Sequence, residues 1–177
     1  MNVDAVKLAK LGNTDVLGSI IMENLQSMYR VAFSILKTED EISDAISNTT
    51  VIVFEKIGTL KNEEFFKTWL IRILINECYK THNQNKKIVY LENCNQEKLA
   101  YSDKYVDFEV RRIIKNLDND LREIVMLYYY EDFSVKEIAK ILKIPDGTVK
   151  SRLSRARSKL EEQLIKEKID ERGSLNG

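Results

Sequence analysis

The fold of this 177-residue chain is decided by residues 134–157, whose sequence is SVKEIAKILKIPDGTVKSRLSRAR. Ser134 and Glu137 stand three positions apart, which is the spacing of a capping box, so a helix is predicted to begin there. Apolar residues follow at helical intervals as far as Leu142. Pro145 suits the first position of a new helix, because proline lacks the backbone N–H that would have no partner there. The stretch therefore predicts two short helices joined by a tight turn.

The second of these helices has one apolar face and one cationic face. Its apolar residues recur at intervals of four, three and four, so they share the face that packs inward. They are Val149, Leu153, Ala156 and Leu160. No acidic residue stands between Gly147 and Lys159 to offset the cations on the opposite face. A solvated basic surface without a partner is the alternative interpretation, but the preceding capped helix and tight turn favour binding to DNA.

A helix of this kind fits the major groove, where arginine and lysine donate to guanine and small hydroxyl groups approach base edges. The residues predicted to face the bases are Lys150, Ser151, Ser154 and Arg155. Three further cations flank that set and are predicted to neutralise phosphates, which adds salt-sensitive affinity rather than sequence choice. These flanking residues are Arg152, Arg157 and Lys159.

The rest of the chain is also predicted to be helical, because it holds one proline and six glycines and its apolar residues recur every three or four positions. The N-terminal helices are predicted at residues 3–11, 15–36, 39–57 and 65–83. A polar segment rich in Asn, Gln, Lys and Glu follows and is predicted to be a flexible linker. The expected class is all-α, with two small helical domains joined by that linker. The predicted boundaries are 1–83 for the first domain, 84–108 for the linker, 109–168 for the second domain and 169–177 for a tail.

Composition argues against several classes of protein. Basic and acidic residues balance at 28 each, so the chain as a whole favours neither a polyanionic nor a polycationic partner. The longest apolar run, residues 124–130, is far shorter than the roughly 20 residues of a membrane span, and residues 1–10 do not resemble a secretory signal. A cytoplasmic protein without membrane insertion is therefore expected. Cys78, Cys94 and His82 lack metal-ligand spacing, so the sequence predicts no metal site. No glycine spacing resembles a phosphate-binding loop or a dinucleotide fingerprint, so no cofactor and no enzymatic activity are expected.

Two stretches of the sequence resemble extracytoplasmic-function (ECF) sigma factors, the small promoter-recognition subunits of bacterial RNA polymerase. Residues 146–157, DGTVKSRLSRAR, are similar to the recognition helix of that family. Residues 66–76, FKTWLIRILIN, are similar to its segment F-x-T-W-L-x-R-I-x-x-N. The two matches lie in different predicted domains, and the likeness of architecture extends over residues 22–83 and 109–166.

The resemblance implies an alternative sigma factor that binds core RNA polymerase, directs it to specific promoters and initiates transcription. The first domain would be the sigma-two module, which docks on the clamp helices of the beta-prime subunit and melts the minus-ten element. The second domain would be the sigma-four helix-turn-helix, which grips the beta flap and recognises the minus-thirty-five element. Members of the family commonly have a membrane-linked anti-sigma factor. The implied partners are therefore core polymerase, promoter DNA and an anti-sigma factor.

The helix predicted at 65–83 carries a polar and aromatic stripe opposite its apolar face. No nucleotide-hydrolysis motif is present, so strand opening has to be driven by binding, with an unstacked base held in a complementary pocket. The resemblance implies that Asn76 meets the edge of an extruded base and that loop 61–65 forms a lid. The alternative interpretation of Trp69 is a core residue, and that of Tyr79 is an ordinary residue of an amphipathic helix surface. The predicted minus-ten residues are Lys61, Asn62, Phe65, Trp69, Arg72, Asn76, Tyr79, Lys80 and Asn83.

The helix that the family uses to bind the polymerase clamp has an altered sequence here. The family pattern D-L-V-Q-E-T-F is replaced by DAISNTT at residues 44–50, so a glutamine, an acid and an aromatic residue are missing. The predicted contacts to core polymerase are Asp44, Ser47 and Asn48. Neighbouring residues are expected to share that interface.

Two other functions fit parts of the sequence. An autonomous dimeric helix-turn-helix regulator with a helical sensing domain would share the C-terminal motif and would bind paired half-sites without polymerase. The match at residues 66–76 argues against it. An enzyme acting on nucleic acid would need carboxylates or a nucleophile in a cleft, whereas the acids here follow helix caps and solvated faces. Three adjacent tyrosines, residues 128–130, are predicted to pack rather than to form a site.

Overall fold

The structure, a computed structural model, describes residues 3–89 and 116–174 of the chain. The chain divides into two compact units, residues 1–107 and 108–177, which we call unit 1 and unit 2. The regular elements of the described residues are helical, which confirms the predicted all-α class. Within this part of the chain no helix is long and apolar enough to cross a membrane.

Unit 1 is built from helices connected by short turns. Its helices are α1 (Val3–Lys10), α2 (Thr14–Glu23), α3 (Leu25–Ile35), α4 (Glu39–Lys56) and α5 (Phe66–Val89). Between α4 and α5 the chain makes two single 3₁₀ turns, at Ile57–Thr59 and Glu63–Phe65.

The break between α1 and α2 falls where the sequence predicts it. Gly12 has a φ of 99°, a left-handed conformation that glycine adopts without steric cost. Asn13 then caps α2, because its side-chain oxygen accepts a hydrogen bond from the Val16 N–H at 3.0 Å. These two residues let the chain reverse within a few positions.

A second break, at Asn24, corrects the prediction of one helix over residues 15–36. The structure has two helices there, and Asn24 lies between them with φ −95° and ψ 0°. Its side-chain amide donates to the Ile20 carbonyl oxygen at 2.8 Å. Asparagine side chains that bond to nearby backbone groups compete with the helical hydrogen bonds, which accounts for the break.

The core of unit 1 lies among α3, α4 and α5. A capping box starts α4, with the Glu41 N–H donating to Thr38 Oγ1 at 3.2 Å and the Thr38 N–H donating to the Glu41 carboxylate at 3.1 Å. The apolar faces that the sequence predicts to be inward are largely buried, although Leu25, Ile46 and Ile73 on them are partly exposed. Their members with at most 1% exposure include Met28, Ala32, Ile42, Ala45, Val53, Phe66, Leu70 and Leu74.

Two helices continue beyond their predicted ends. Helix α5 extends to Val89, past the predicted end at residue 83 and into the predicted linker 84–108. The remainder of that linker, from residue 90 onward, lies outside the described residues. In unit 2 the last helix continues to Ser174, into the predicted tail 169–177.

Unit 2 contains the helix-turn-helix predicted from residues 134–157. Its elements are α6 (Asn119–Val125), a π-helical turn (Met126–Tyr130), α7 (Val135–Leu142) and α8 (Asp146–Ser174). The predicted inward face of α8 is buried at Val149, Leu153 and Ala156 and partly exposed at Leu160. These side chains belong to the same core as apolar residues of α6 and α7. The buried residues of those two helices include Leu121, Ile124, Ile138 and Ile141.

The turn between α7 and α8 is set by local hydrogen bonds. The predicted capping box is present, with the Glu137 N–H donating to Ser134 Oγ at 3.3 Å and the Ser134 N–H donating to the Glu137 carboxylate at 2.9 Å. Lys143 ends α7 in a left-handed conformation with φ 56°. The Pro145 carbonyl accepts the first α-helical hydrogen bond of α8, from the Val149 N–H at 3.2 Å. Pro145 therefore caps α8, one position earlier than predicted.

Candidate nucleic-acid interface

Helix α8 presents a polar and cationic face to solvent along its first turns. The residues predicted to face bases, Lys150, Ser151, Ser154 and Arg155, are all exposed. The Ser151 hydroxyl donates to the Thr148 carbonyl oxygen at 3.0 Å. Among the residues that the structure describes, no acidic side chain lies within ion-pair distance of Lys150 or Arg155. The charge in the middle of this face is therefore not neutralised by an ion pair.

The cations on one flank of that face are paired with acids at the start of α6, its N-cap Asp118 and Asp120 of its first turn. Arg152 Nε lies 3.2 Å from Asp120 Oδ2, and Lys159 Nζ donates to Asp118 Oδ2. This hydrogen bond from Lys159 lowers the pKa of Asp118, so the carboxylate keeps its charge further into the acid range. The two ion pairs tie the side of α8 to the start of α6. Arg152 and Lys159, which the sequence predicts to be phosphate contacts, thus have protein partners as well.

The other flank holds a contact that the sequence pattern does not predict. Arg157 Nε donates to the Tyr129 hydroxyl at 2.8 Å, although the two residues are 28 positions apart. Tyr129 is 46% exposed and its ring meets that of Tyr128 edge-on, with the centroids 4.9 Å apart. Because the tyrosines lie in a π-helical turn, the chain carries an extra residue there relative to an α-helix, and the direction of Tyr129 does not follow from helical periodicity. Tyr129 therefore joins the edge of the cationic face.

In unit 1 the stripe predicted on α5 lies at the surface. Its exposed members are Arg72, Asn76, Tyr79, Lys80 and Asn83. Arg72 and Lys80 lie one turn before and one turn after Asn76, so an exposed amide stands between two cations. Lys80 Nζ also lies 3.3 Å from Glu77 Oε2.

Trp69 lies at the start of this stripe, between the core of unit 1 and its surface. It is half-buried, and its ring centroid lies 6.1 Å from that of the fully buried Phe66. One part of the indole therefore packs inward while the other part remains accessible next to Arg72 on the following turn.

The loop ahead of α5, residues 61–65, is held by its own hydrogen bonds. Asn62 Oδ1 accepts from the Glu64 N–H at 3.0 Å, and the Asn62 carbonyl accepts from the Phe65 N–H at 3.2 Å. Lys61, Asn62 and Phe65 are exposed, and half of the Phe65 surface is accessible. The predicted lid residues thus directly precede the stripe of α5, although the Asn62 side-chain oxygen already caps the turn.

The outer face of α4 combines the predicted polymerase contacts with apolar residues. Asp44, Ser47 and Asn48 are exposed on this face. Val51 and Phe54 continue it at helical spacing and are 57% and 41% exposed. The sequence prediction omits Val51 and Phe54. The signal for them was available, since both residues fall outside the inward apolar stripe of α4.

No metal centre is formed by the part of the chain that the structure describes. Within residues 3–89 and 116–174, His, Cys, Asp and Glu side chains are not grouped in a way that could hold a metal ion. Cys78 is fully buried and His82 is half-buried. Cys94 lies outside the described residues.

Both units match known protein-family models. Residues 20–88 match Sigma-70 region 2, and residues 107–160 match Sigma-70, region 4. The first match contains α3, α4 and most of α5, and the second contains the helix-turn-helix. Helix α1 lies outside both matched ranges.

Known proteins of similar length match nearly the whole chain. RNA polymerase sigma factor SigV of Bacillus subtilis is 30% identical over 156 residues, covering 87% of this chain and 94% of SigV. ECF RNA polymerase sigma factor SigW of the same species is 28% identical, covering 90% and 94%. The sigma factor RpoE of Bartonella quintana, solved in complex with the anti-sigma factor NepR, has a similar fold, with a TM-score of 0.73, 25% identity and coverage of 84% of this chain and 96% of RpoE. The resemblance inferred from two short motifs is thereby confirmed over both units: this chain belongs to the ECF family of RNA polymerase sigma factors.

Proposed function

We propose that the exposed surfaces of the two units read two elements of one promoter. The chain is an alternative sigma factor, which directs RNA polymerase to promoters, and its two units divide that task. Helix α8 recognises the minus-thirty-five element, while α5 and loop 61–65 recognise and melt the minus-ten element. The observation that carries the proposal is the face of α8, whose central residues Lys150 and Arg155 are exposed and form no ion pair in the described part of the chain, although the charge of Arg155 contributes to the lowered pKa of Asp118.

Recognition by α8 follows from the chemistry of the major groove. Arg155 and Lys150 are donors that match the two acceptors of guanine, and Ser151 and Ser154 are small enough to approach base edges. Arg157 and the flanking pairs lie at the sides of the helix, where the DNA backbone would run. Contacts at the flanks supply affinity, and contacts in the centre supply sequence choice.

Melting by unit 1 needs a site that stabilises an unpaired base. The exposed amide of Asn76 offers both a donor and an acceptor for a base edge, and Arg72 and Lys80 hold the phosphates on either side. Trp69 and Phe65 provide accessible aromatic surface for stacking, which contributes about 1–3 kcal/mol per base. Binding to the unpaired strand therefore offsets the cost of unstacking, with no need for hydrolysis of a nucleotide.

We assign the outer face of α4 to core polymerase. Asp44, Ser47 and Asn48 supply polar contacts to the clamp helices of the beta-prime subunit. Val51 and Phe54 add the apolar area that the altered motif lacks at residue 50. A mixed polar and apolar patch of this kind suits a protein–protein interface better than a nucleic-acid surface.

The other predicted partners and boundaries complete the proposal. Residues 1–83 act as the sigma-two module, residues 84–108 as the linker, and residues 109–168 as the sigma-four module that grips the beta flap, followed by the tail 169–177. An anti-sigma factor occludes the chain in its resting state; this partner is supported by the similar fold of Bartonella quintana RpoE, which was solved in complex with the anti-sigma factor NepR. The protein works in the cytoplasm without inserting into the membrane, and it contributes binding rather than catalysis.

Replacing Phe54 with alanine is expected to weaken binding to core polymerase by about 1 kcal/mol, or fivefold, because the ring loses the apolar area that it buries at the interface. Fluorescence anisotropy of the labelled chain titrated with core enzyme measures this affinity. Met22→Ala is a matched control, since Met22 is an exposed apolar residue of α2 that is 66% accessible. Equal affinities of Phe54→Ala and the unchanged chain would remove Phe54 from the interface.

Replacing both Asp118 and Asp120 with asparagine is expected to raise the affinity of the holoenzyme for promoter DNA about two- to fivefold, because Arg152 and Lys159 lose their protein partners and become available to phosphates. Asparagine keeps the capping preference of the Asp118 position at the start of α6. The dependence of affinity on salt concentration should steepen in the double variant. An unchanged salt dependence would show that these two cations do not reach the DNA.

The proposal is tested by DNA binding with and without core polymerase. A gel-shift comparison on a promoter fragment should give a specific complex only when core enzyme is present. Tight binding of the isolated chain to paired half-sites one helical turn apart would instead support the dimeric regulator. That alternative is not favoured, because the family matches include region 2 as well as the helix-turn-helix.

A further inference from the structure

Helix α1 lies outside the family match that begins at residue 20, yet it packs against the loop that leads into α5. It buries Val6 and Ala9 completely or nearly so. It contacts α2 and both 3₁₀ turns between α4 and α5, Ile57–Thr59 and Glu63–Phe65. This segment therefore stands next to the predicted minus-ten lid while being no part of the matched module.

An ion pair joins α1 to that loop. Lys10 Nζ lies 2.6 Å from Glu63 Oε1, and the two side chains are only 23% and 20% exposed. The hydrogen bond from Lys10 lowers the pKa of Glu63, so the ion pair persists further into the acid range. Lys10 also stands in the last turn of α1, where a cation is favoured by the helix dipole. The pair is a sheltered contact rather than a mobile surface bridge.

The location of Glu63 gives this contact a specific consequence. Glu63 begins the 3₁₀ turn Glu63–Phe65, directly after Asn62, whose side chain caps the Glu64 N–H. The turn is thus fixed by Asn62 from within and by Lys10 from outside. Exposed Asn62 precedes the turn and exposed Phe65 ends it, directly before the first residue of α5.

We propose that α1 is a positioning element for minus-ten melting, and that Lys10 acts through Glu63 to hold loop 61–65 in the conformation that receives an unpaired base. The inference rests on the proposed minus-ten role of that loop. Lys10 is a positioning residue, since its Nζ contacts Glu63 of the loop and acts on the minus-ten site only through that residue. A loop that is already ordered loses less conformational freedom when DNA binds, so melting becomes more favourable.

Replacing Lys10 with methionine tests this role. Methionine keeps the helix propensity and the unbranched stem of lysine but lacks the charge. The rate of open-complex formation on a duplex promoter is expected to fall about two- to fivefold, the size of effect that one ion pair supports. Transcription from a template already unpaired at the minus-ten element and affinity for core polymerase are expected to stay within error of the unchanged chain. Lys7→Met is the matched control and should have a much smaller effect, because Lys7 lies on α1 but pairs with Asp4 and acts on Glu63 only through its more distant charge, without a hydrogen bond.

Exchanging the charges of Lys10 and Glu63 distinguishes a positioning role of the ion pair from a contribution to the stability of the fold. Lys10→Glu and Glu63→Lys are each expected to slow opening about tenfold, because each places like charges together, and the double exchange should recover most of that loss. A purely structural role would change the melting temperature without a difference between duplex and pre-melted templates. If a single variant fails to fold, the opening rate of the double exchange is compared directly with that of the unchanged chain, and a rate that stays about tenfold lower would contradict the role of this pair.

The possible outcomes distinguish this inference from the proposed function. Three results would each overturn the role of α1 and leave the sigma function intact. They are promoter opening by Lys10→Met at the rate of the unchanged chain, equal losses on duplex and pre-melted templates, and no recovery of the opening rate in the double exchange. Failure of the unchanged chain to open any promoter with core polymerase would overturn the proposed function, and the role of α1 with it.

Discussion

Replacing Arg155 with alanine is expected to weaken recognition of the minus-thirty-five element by about 1–3 kcal/mol, or roughly five- to 150-fold, without changing affinity for core polymerase. Arg155 is exposed on the outward face of α8, and no acid forms an ion pair with it in the described part of the chain. Its planar guanidinium matches the two acceptors that guanine presents in the major groove. Competition binding of the holoenzyme to promoter fragments that carry each single-base change measures the effect.

Arg155→Lys is the matched control for that experiment. Lysine keeps the charge but lacks the planar fork, so the salt dependence of affinity should be retained while the preference for one base is lost. In Arg155→Ala the slope of log affinity against log salt should also become less steep by about 1. If both variants keep the base preference of the unchanged chain, α8 is not the element that reads this position.

Replacing Asn76 with alanine is expected to slow the opening of a duplex promoter about tenfold or more, because the amide no longer offers hydrogen bonds to the extruded base. Asn76 is exposed on α5 with Arg72 and Lys80 one turn away on either side. Alanine favours the helix more than asparagine does, so the loss should not arise from unfolding. Permanganate reactivity of unpaired thymines in the minus-ten element follows the opening directly.

A pre-melted template separates base capture from other effects of Asn76. When the strands are already unpaired, the variant should transcribe at a rate much closer to that of the unchanged chain. Gln26→Ala removes an exposed amide from α3 of the same unit and should behave normally on both templates. Equal loss for Asn76→Ala on duplex and pre-melted DNA would reject its role in base capture.

Much of the fold follows from local sequence patterns. Capping boxes and apolar periodicity are determined by residues within a turn or two of each other, so the start of α7 at Ser134 and the inward face of α8 were predictable. The break at Asn24 was not, because the surrounding apolar residues continue one helical stripe through it. The competing hydrogen bond of its side chain becomes visible only in the structure.

The parts of the candidate site that escaped prediction depend on distant pairs. Lys10 and Glu63 are 53 positions apart, and Arg157 and Tyr129 are 28 apart. No local pattern relates such residues, since their meeting is decided by how helices pack. The sequence predicts a cationic surface on α8 with no acid to offset it, whereas in the structure Arg152 is paired with Asp120 of α6. This pair also depends on how the helices pack, so no local pattern predicts it.

The central claim is that two separate surfaces of this chain confer promoter choice on RNA polymerase. In vitro transcription with purified bacterial core enzyme on a library of promoter fragments tests it most directly. We expect transcripts with defined start sites only when the chain is added, from fragments that share two sequence elements at a fixed spacing. Start sites that do not change when the chain is added, together with specific binding of the chain alone to symmetric DNA, would contradict the account.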